Sequence, residues 1–359
     1  MITVDSIKVI QVEISNYCNL ACPQCPRNYF GGKVLDTLPL KCWTLDEFKH
    51  VFSNVNFDSL EQVYFCGTYG DPLSNKEIVK MCEFLRQKKS TLNIGIHTNG
   101  SIGSSQLYKK LAPIVNFIAF GIDGLQDTNH IYRRHAKWDL LIKNVKVFIE
   151  SGGYAIWDFI VFKHNQHQLD DARQQSIKLG FKEFNIKKTS RFFQRNHVLA
   201  DKLAVYSKQN KFEYFIEAPT IENYINKGYT AIKFFAKKNL SIKDFAHNTK
   251  INCNSQRISE IYIGAEGFVF NCGWLHDRLY GPEIENHADH KIINNLIEQA
   301  GGQSSINIFS NNLKDIVKNW FGIIEQNWTS TNRLERCGII CGSGIGLITS
   351  QNEEIHYKL

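Results

Sequence analysis

Ile7-Lys8-Val9-Ile10-Gln11-Val12-Glu13-Ile14 leads through Ser15-Asn16-Tyr17 into Cys18-Asn19-Leu20-Ala21-Cys22-Pro23-Gln24-Cys25. The first part is β-branched and alternating, which predicts a strand. The second is a C-x3-C-x2-C run at that strand's end, so three thiols share one tight loop. Thiolates are soft ligands. Three in such a loop can each take a different iron of a cubane cluster, leaving the fourth iron with an open position. Structural zinc instead favours paired C-x2-C elements with four ligands, and no fourth partner lies nearby in the chain.

Outward from this loop, strands and helices alternate. A helix is predicted over Leu45–Ser53, then a strand at Gln62–Cys66 that ends in Gly67-Thr68-Tyr69-Gly70-Asp71-Pro72. Lys76–Lys88 has helical apolar spacing, and Leu92–His97 is a strand stopped by Thr98-Asn99-Gly100. Ser105–Leu111 follows as helix, Phe117–Ile122 as strand and Trp138–Ser151 as amphipathic helix. Ala155–Phe162 reads as strand, Leu169–Leu179 as helix and Glu183–Lys187 as strand. Repeated β-α units with short turns imply a parallel sheet. The predicted class is α/β, a partial (β/α)6 barrel over residues 1–191 with its chemistry at the strand C-termini. Phe192–Asn252 is Lys- and aromatic-rich with weak periodicity, and is read as a partly helical bridge over 192–250. Residues 251–359 resume with a strand pair, Ile261–Ile263 and Phe268–Phe270, turning at Gly264–Gly267.

The chain has ten cysteines among 359 residues. No stretch has the roughly 18 uninterrupted apolar residues of a membrane span, and Met1–Asp5 opens no secretory signal, so a cytoplasmic setting is expected. There thiols stay reduced, and clustered cysteines point to metal or redox chemistry. A second cluster comprises Cys253, Cys272, Cys337 and Cys341. Cys42, Cys66 and Cys82 carry no motif. The +7 charge, 42 basic against 35 acidic residues, is spread along the chain. Nucleic-acid binders concentrate such charge on one face, so a nucleic-acid partner is not expected.

The cysteine loop, its place after the first strand and the downstream segments together resemble the radical S-adenosylmethionine superfamily. The resemblance implies a [4Fe–4S] cluster on Cys18, Cys22 and Cys25, with S-adenosylmethionine chelated at the open iron. One electron then gives methionine and a 5′-deoxyadenosyl radical that takes a hydrogen atom from a substrate C–H bond. Gly70-Asp71-Pro72 resembles the family's Gly-Gly-Glu-Pro segment, which holds the methionine amino group; Asp71 reaches one methylene less far than Glu, and Tyr69 replaces the first Gly. Thr98-Asn99-Gly100 resembles the turn beside the nucleoside. Gly121-Ile122-Asp123-Gly124 resembles the Ser-x-Asp-Gly segment, with Gly121 in place of Ser. Arg133, twelve residues on, matches the Arg that pairs with the methionine carboxylate, and Arg134 is its neighbouring alternative.

The second cysteine group resembles the C-terminal SPASM extension in its shorter twitch form, an iron–sulfur cap over about Ile251–Leu347. Its four cysteines would hold one auxiliary [4Fe–4S] cluster. The final C-x3-C spacing departs from the expected C-x2-C, and tetrahedral zinc is the alternative ligand set. Glu266, His276 and Asp277 flank the hairpin as candidate proton acceptors, while His164–His167 and Lys188–Arg191 follow the last two barrel strands. No catalytic base is assigned. The resemblance implies S-adenosylmethionine and a flavodoxin- or ferredoxin-type electron donor as partners, and no membrane. Modification of a peptide or protein side chain is the expected function. A small-molecule, carbohydrate-like dehydrogenase or rearrangement enzyme of the same superfamily is the alternative. A zinc-stabilised binding module without turnover is the reading from a different class.

Overall fold

Parallel strands need a crossover that returns the chain to the same end, and the helical segments supply it. The computed structural model describes residues 2–192, 200–228, 230, 237–238, 241–282, 284–343 and 352–359. In it β1 (Val9–Val12), β2 (Gln62–Phe65), β3 (Asn93–Thr98), β4 (Phe117–Gly121), β5 (Ala155–Val161) and β6 (Glu183–Thr189) lie side by side in chain order, all parallel. The crossovers contain α1 (Leu45–Ser53), α2 (Ile78–Lys88), α3 (Ser105–Leu111), α4 (Asn129–Tyr132), α5 (Trp138–Glu150) and α6 (Leu169–Leu179). Helix α1 starts where a capping box allows it: Thr44 Oγ1 accepts from Glu47 N and Glu47 accepts from Thr44 N.

Strand alternation sorts the side chains into two sets. Ile10, Val12, Val63, Phe65, Ile94, Ile96, Ile118, Phe120, Trp157 and Phe159 are buried in the core with Phe48, Met81, Leu85, Tyr108, Val145 and Phe148 of the helices. The opposite set is polar and lines the concave side. There His97 Nε2 lies 3.6 Å from Asp158, and Lys187 Nζ lies 3.2 Å from the same carboxylate. Cys66 approaches His97 Nδ1 at 3.8 Å on this side, and burial pushes its thiol up to about 12. Cys82, by contrast, is fully buried among the helices.

The last third of the chain departs from the separate cap expected. Its hairpin is present, with β10 (Glu260–Ile263) antiparallel to β11 (Val269–Phe270), but β10 also pairs in parallel with β1. At the far edge β13 (Asn352–Lys358) runs antiparallel along all of β6. The sheet order is therefore β11-β10-β1-β2-β3-β4-β5-β6-β13, nine strands in all. An open barrel leaves two rows of unpaired backbone groups, and this segment covers both. The expected limit of the cap at Leu347 lies outside the described residues.

The bridge, read from the sequence as partly helical, contains strands as well. It holds a β-hairpin, β7 (Lys202–Tyr206) with β8 (Phe212–Glu217), besides a helix at Ile242–Asn248. Leu203, Val205 and Ile216 point inward from the hairpin onto Leu20, Cys22, Tyr132 and Phe162, with Cys18 and Cys25 packed against the same cluster. The outward aromatics Phe212 and Phe215 mask this alternation in the sequence.

Candidate active site

The cysteine loop sits at the C-terminal mouth of the barrel because the ends of several strands hold it there. Tyr17 O accepts from Asp71 N at 2.9 Å, after β2. Asn19 Nδ2 donates to Ser101 O at 2.8 Å and its Oδ1 accepts from Asn99 Nδ2 at 3.0 Å, after β3. Ala21 N donates to Arg134 O at 3.3 Å, and Gln24 Nε2 donates to Arg191 O at 2.8 Å, after β6. Four separate crossings fix one short loop.

The three thiols lie close enough to raise one another's pKa. Burial is the larger cause, pushing Cys18 and Cys22 up to about 12 and Cys25 to about 11. As bare thiols they stay protonated; bound to a cation they would ionise. Donors are already aimed at the sulfurs. Leu20 N approaches Cys18 Sγ at 3.4 Å, Asn99 Nδ2 approaches it at 3.8 Å, and Arg133 Nη1 lies 4.0 Å from Cys22 Sγ. Such donors suit anionic sulfur, so the set fits a thiolate-ligated group. Among the described residues no three His, Cys, Asp or Glu side chains gather closely enough to hold a single metal ion.

Around the loop stand the segments the sequence singles out. Asp71 is buried and its carboxylate is fully engaged: it accepts from Thr98 Oγ1 at 3.0 Å, Asn99 N at 2.9 Å, Asn99 Nδ2 at 2.7 Å and Leu73 N at 3.0 Å. The shorter acid thus braces the Thr98–Asn99 turn. Burial still lifts its pKa above the usual range, outweighing those donors. Arg133 Nε donates to Asp123 at 2.5 Å, and Asp123 also accepts from Ile160 N at 2.6 Å. A Cβ on residue 121 would run into the Arg133 guanidinium, its Cζ only 2.9 Å away. Arg133 thus occupies the space that a side chain at position 121 would need. Arg134 is engaged elsewhere, with Glu213 of β8 at 2.6 Å. His164 stacks on the Phe162 ring with 5.4 Å between centroids, and burial lowers its pKa to about 4.

The second cysteine group also converges. Two-residue strands β9 (Lys250–Ile251) and β12 (Gly342–Ser343) pair, drawing Cys253 towards Cys341. These two share a thiol hydrogen bond that pushes Cys253 up and pulls Cys341 down. Cys272 feels Cys253, and Cys337 feels both, with burial the dominant cause of their raised values. The Trp328 Nε1 is buried without a hydrogen-bond acceptor and faces the Cys337 sulfur.

Sequence reasoning missed Glu13. It is 1% exposed directly after β1, its Oε1 accepts from Tyr69 N at 2.8 Å and Gly70 N at 2.6 Å, and its Oε2 accepts from Tyr262 Oη at 2.8 Å. Burial pushes Glu13 up to about 7. Nearby, His276 and Glu266 pair at 3.1 Å. Burial alone would lower His276, but the Glu266 contact outweighs it and holds the imidazole above its usual range. A lone acid on an inward position of an apolar strand was the available signal.

Residues 12–173 match the family model described as the Radical SAM superfamily. Over that stretch, somewhat less than half of the chain, the sequence is similar to the radical SAM superfamily. The tungsten-containing aldehyde ferredoxin oxidoreductase cofactor-modifying protein of Pyrococcus furiosus is 26% identical over 184 residues, covering 48% of this chain and 49% of that protein. The chain thus matches about half the length of that relative. Streptococcus suis SuiB bound to its precursor peptide SuiA superposes over 94% of this chain and 72% of its own, with TM-score 0.53 and 12% identity. The anSMEcpe protein with bound AdoMet and Cp18Cys peptide does so over 96% and 92%, with TM-score 0.51 and 13% identity. At such identities the likeness is one of fold. No helix among the described residues is long and apolar enough to cross a membrane.

Proposed function

We propose that the chain is a radical S-adenosylmethionine enzyme that abstracts a hydrogen atom from a peptide or protein side chain, with a twitch-like second cluster in residues 251–359. The observation that carries the reading is the loop of three thiols pinned at the barrel mouth, with buried donors aimed at its sulfurs. Cys18, Cys22 and Cys25 would hold a [4Fe–4S] cluster with one open iron. Bound there with S-adenosylmethionine, it supplies the electron that releases methionine and a 5′-deoxyadenosyl radical.

The chain's own residues do the rest. Gly70-Asp71-Pro72 and Thr98 form a rigid wall for the methionine end, stiffened by the Asp71 hydrogen bonds. Arg133 leaves Nη2 for a carboxylate, because Asp123 takes Nε and Nη1 faces the Cys22 sulfur. Cys253, Cys272, Cys337 and Cys341 would hold the auxiliary [4Fe–4S] cluster, which would supply an acceptor for the electron left on a substrate radical. A flavodoxin- or ferredoxin-type donor would feed the first cluster. Peptide-bound SuiB and anSMEcpe favour a peptide or protein target, whereas the cofactor-modifying relative favours the small-molecule alternative.

Anaerobic purification tests the reading. A brown protein with about eight irons per chain is expected, since each cubane holds four. With dithionite and S-adenosylmethionine it should produce 5′-deoxyadenosine, and deuterium from a labelled substrate should appear in that product. A colourless zinc protein would overturn the proposal.

A further inference from the structure

The segment read as the S-adenosylmethionine wall has no side chain of its own to hold its entry. Tyr69 and Gly70 come after β2, and both present backbone N–H groups inward to one oxygen, Glu13 Oε1, at 2.8 and 2.6 Å. Glu13 directly follows β1, just before the cysteine loop, so one carboxylate spans the two segments. Its other oxygen is held by Tyr262 Oη at 2.8 Å, which also lies 2.9 Å from Thr68 Oγ1. Tyr262 belongs to β10, in the last third of the chain. Tyr69 reaches the same third, its hydroxyl donating to Tyr280 O at 3.0 Å or His276 O at 3.2 Å. The ring of Tyr262 packs against His276, centroids 4.9 Å apart. Glu13, Tyr69, Tyr262 and His276 are each buried, so the contacts at the centre of this chain are shielded from bulk water.

We propose that Glu13 is the positioning residue of the Tyr69–Pro72 segment, and that Tyr262 makes S-adenosylmethionine affinity depend on the C-terminal third. This rests on the reading of Gly70–Pro72 as an S-adenosylmethionine contact. Glu13 touches neither cofactor nor substrate. It fixes the direction in which the following backbone faces the mouth.

The test is equilibrium binding of labelled S-adenosylmethionine to reconstituted holoprotein, with the change in the reduced front cluster's EPR signal as a second readout. Glu13→Ala should weaken binding about tenfold or more, the loss expected when hydrogen bonds to a charged acceptor are removed. Glu13→Gln should restore it to within about threefold, because an amide oxygen can accept the same two N–H groups. Tyr262→Phe, which deletes one hydroxyl, should weaken it by a few-fold. If wild-type holoprotein shows no saturable binding, the reading of the site fails and takes the proposal with it. If wild type binds and both Glu13→Ala and Tyr262→Phe bind equally well, the proposal alone is overturned. Should Glu13→Ala fail to retain iron, Tyr262→Phe decides: weaker binding supports the proposal, unchanged binding ends it.

Discussion

The two cysteine groups reach similar ends by opposite routes. Cys18, Cys22 and Cys25 sit in one loop, and the protein spends its tertiary contacts on orienting that loop across β2, β3 and β6. Cys253, Cys272, Cys337 and Cys341 come from three distant segments, and the protein spends its contacts on bringing them together at all. A pair of two-residue strands and the short helix Glu335–Cys341 do this work. The front group is local and preformed, so losing one member leaves the loop standing. The rear group closes long stretches of chain, and cross-linking them by a metal group would contribute to folding.

The largest contrast should appear on removing one ligand from each. Cys22→Ala should abolish 5′-deoxyadenosine formation and lower iron from about eight to about four per chain. Cys337→Ala should lose a similar amount of iron, keep uncoupled cleavage and lose product. It should also unfold at lower denaturant, which the front variant should not. Iron analysis, product assays and denaturant melts separate these outcomes; equal loss of cleavage in both variants would erase the distinction drawn between the groups.

Glycines sharpen the same contrast. A Cβ at Gly338, between the last two cysteines, would meet the backbone of Ala246, its Cα at 2.7 Å. Backbone cannot swing aside, so Gly338→Ala should cost about 3 kcal/mol, the upper end for overpacking, and release the rear iron. At Gly121 the obstacle is the Arg133 guanidinium, a side chain that can move. Gly121→Ala should therefore cost about 1 kcal/mol and retain all iron, while weakening S-adenosylmethionine binding. Iron content after mild denaturant exposure checks both.

The barrel was legible in the sequence because its signals are local. Helix α1 runs from Leu45 to Ser53 and α6 from Leu169 to Leu179, as their apolar spacing and the Gly180 stop indicate. What escaped was pairing between distant segments. Nothing within Glu260–Ile263 says that its partner is β1, or within Asn352–Lys358 that it seals β6. Motif matching also singled out Asp71 and Arg133 while leaving their partners unseen: the Thr98–Asn99 turn absorbs the acid, and Asp123 orients the guanidinium. Glu13 was hidden because an inward acid on a strand has no motif.

Glu13 gives a pH test of how the front and rear halves meet. Its folded value, about 7, lies above the usual 4.5 chiefly through burial. An acid raised on folding stays protonated in the native state while the unfolded chain ionises. Its contribution to stability is therefore lost as pH rises from about 4.5 towards 7, and the penalty is constant above that. Glu13→Gln has no such penalty. Its denaturant stability should exceed wild type by up to about 3 kcal/mol at pH 8, with the difference vanishing near pH 4.5. A variant that is less stable at pH 8 would mean that His276 holds Glu13 ionised.

The smallest effect concerns the far edge, where the chain's end meets the barrel. Lys187 Nζ lies 2.6 Å from Glu354 and 3.2 Å from Asp158, and these two acids raise its pKa against the opposing effect of burial. Glu354 is the member contributed by β13, so it measures what the closing strand adds beyond its backbone ladder. Part of this pair remains wet, with side-chain exposures of 26% and 22%, and a coupling of about 1 kcal/mol is expected from Lys187→Met and Glu354→Gln in a double-mutant cycle. A coupling near zero would mean that β13 is held by strand pairing alone. A measurable one makes the C-terminal strand part of the polar lining, so that the last third of the chain shapes the concave side from β6 as Tyr262 does from β1.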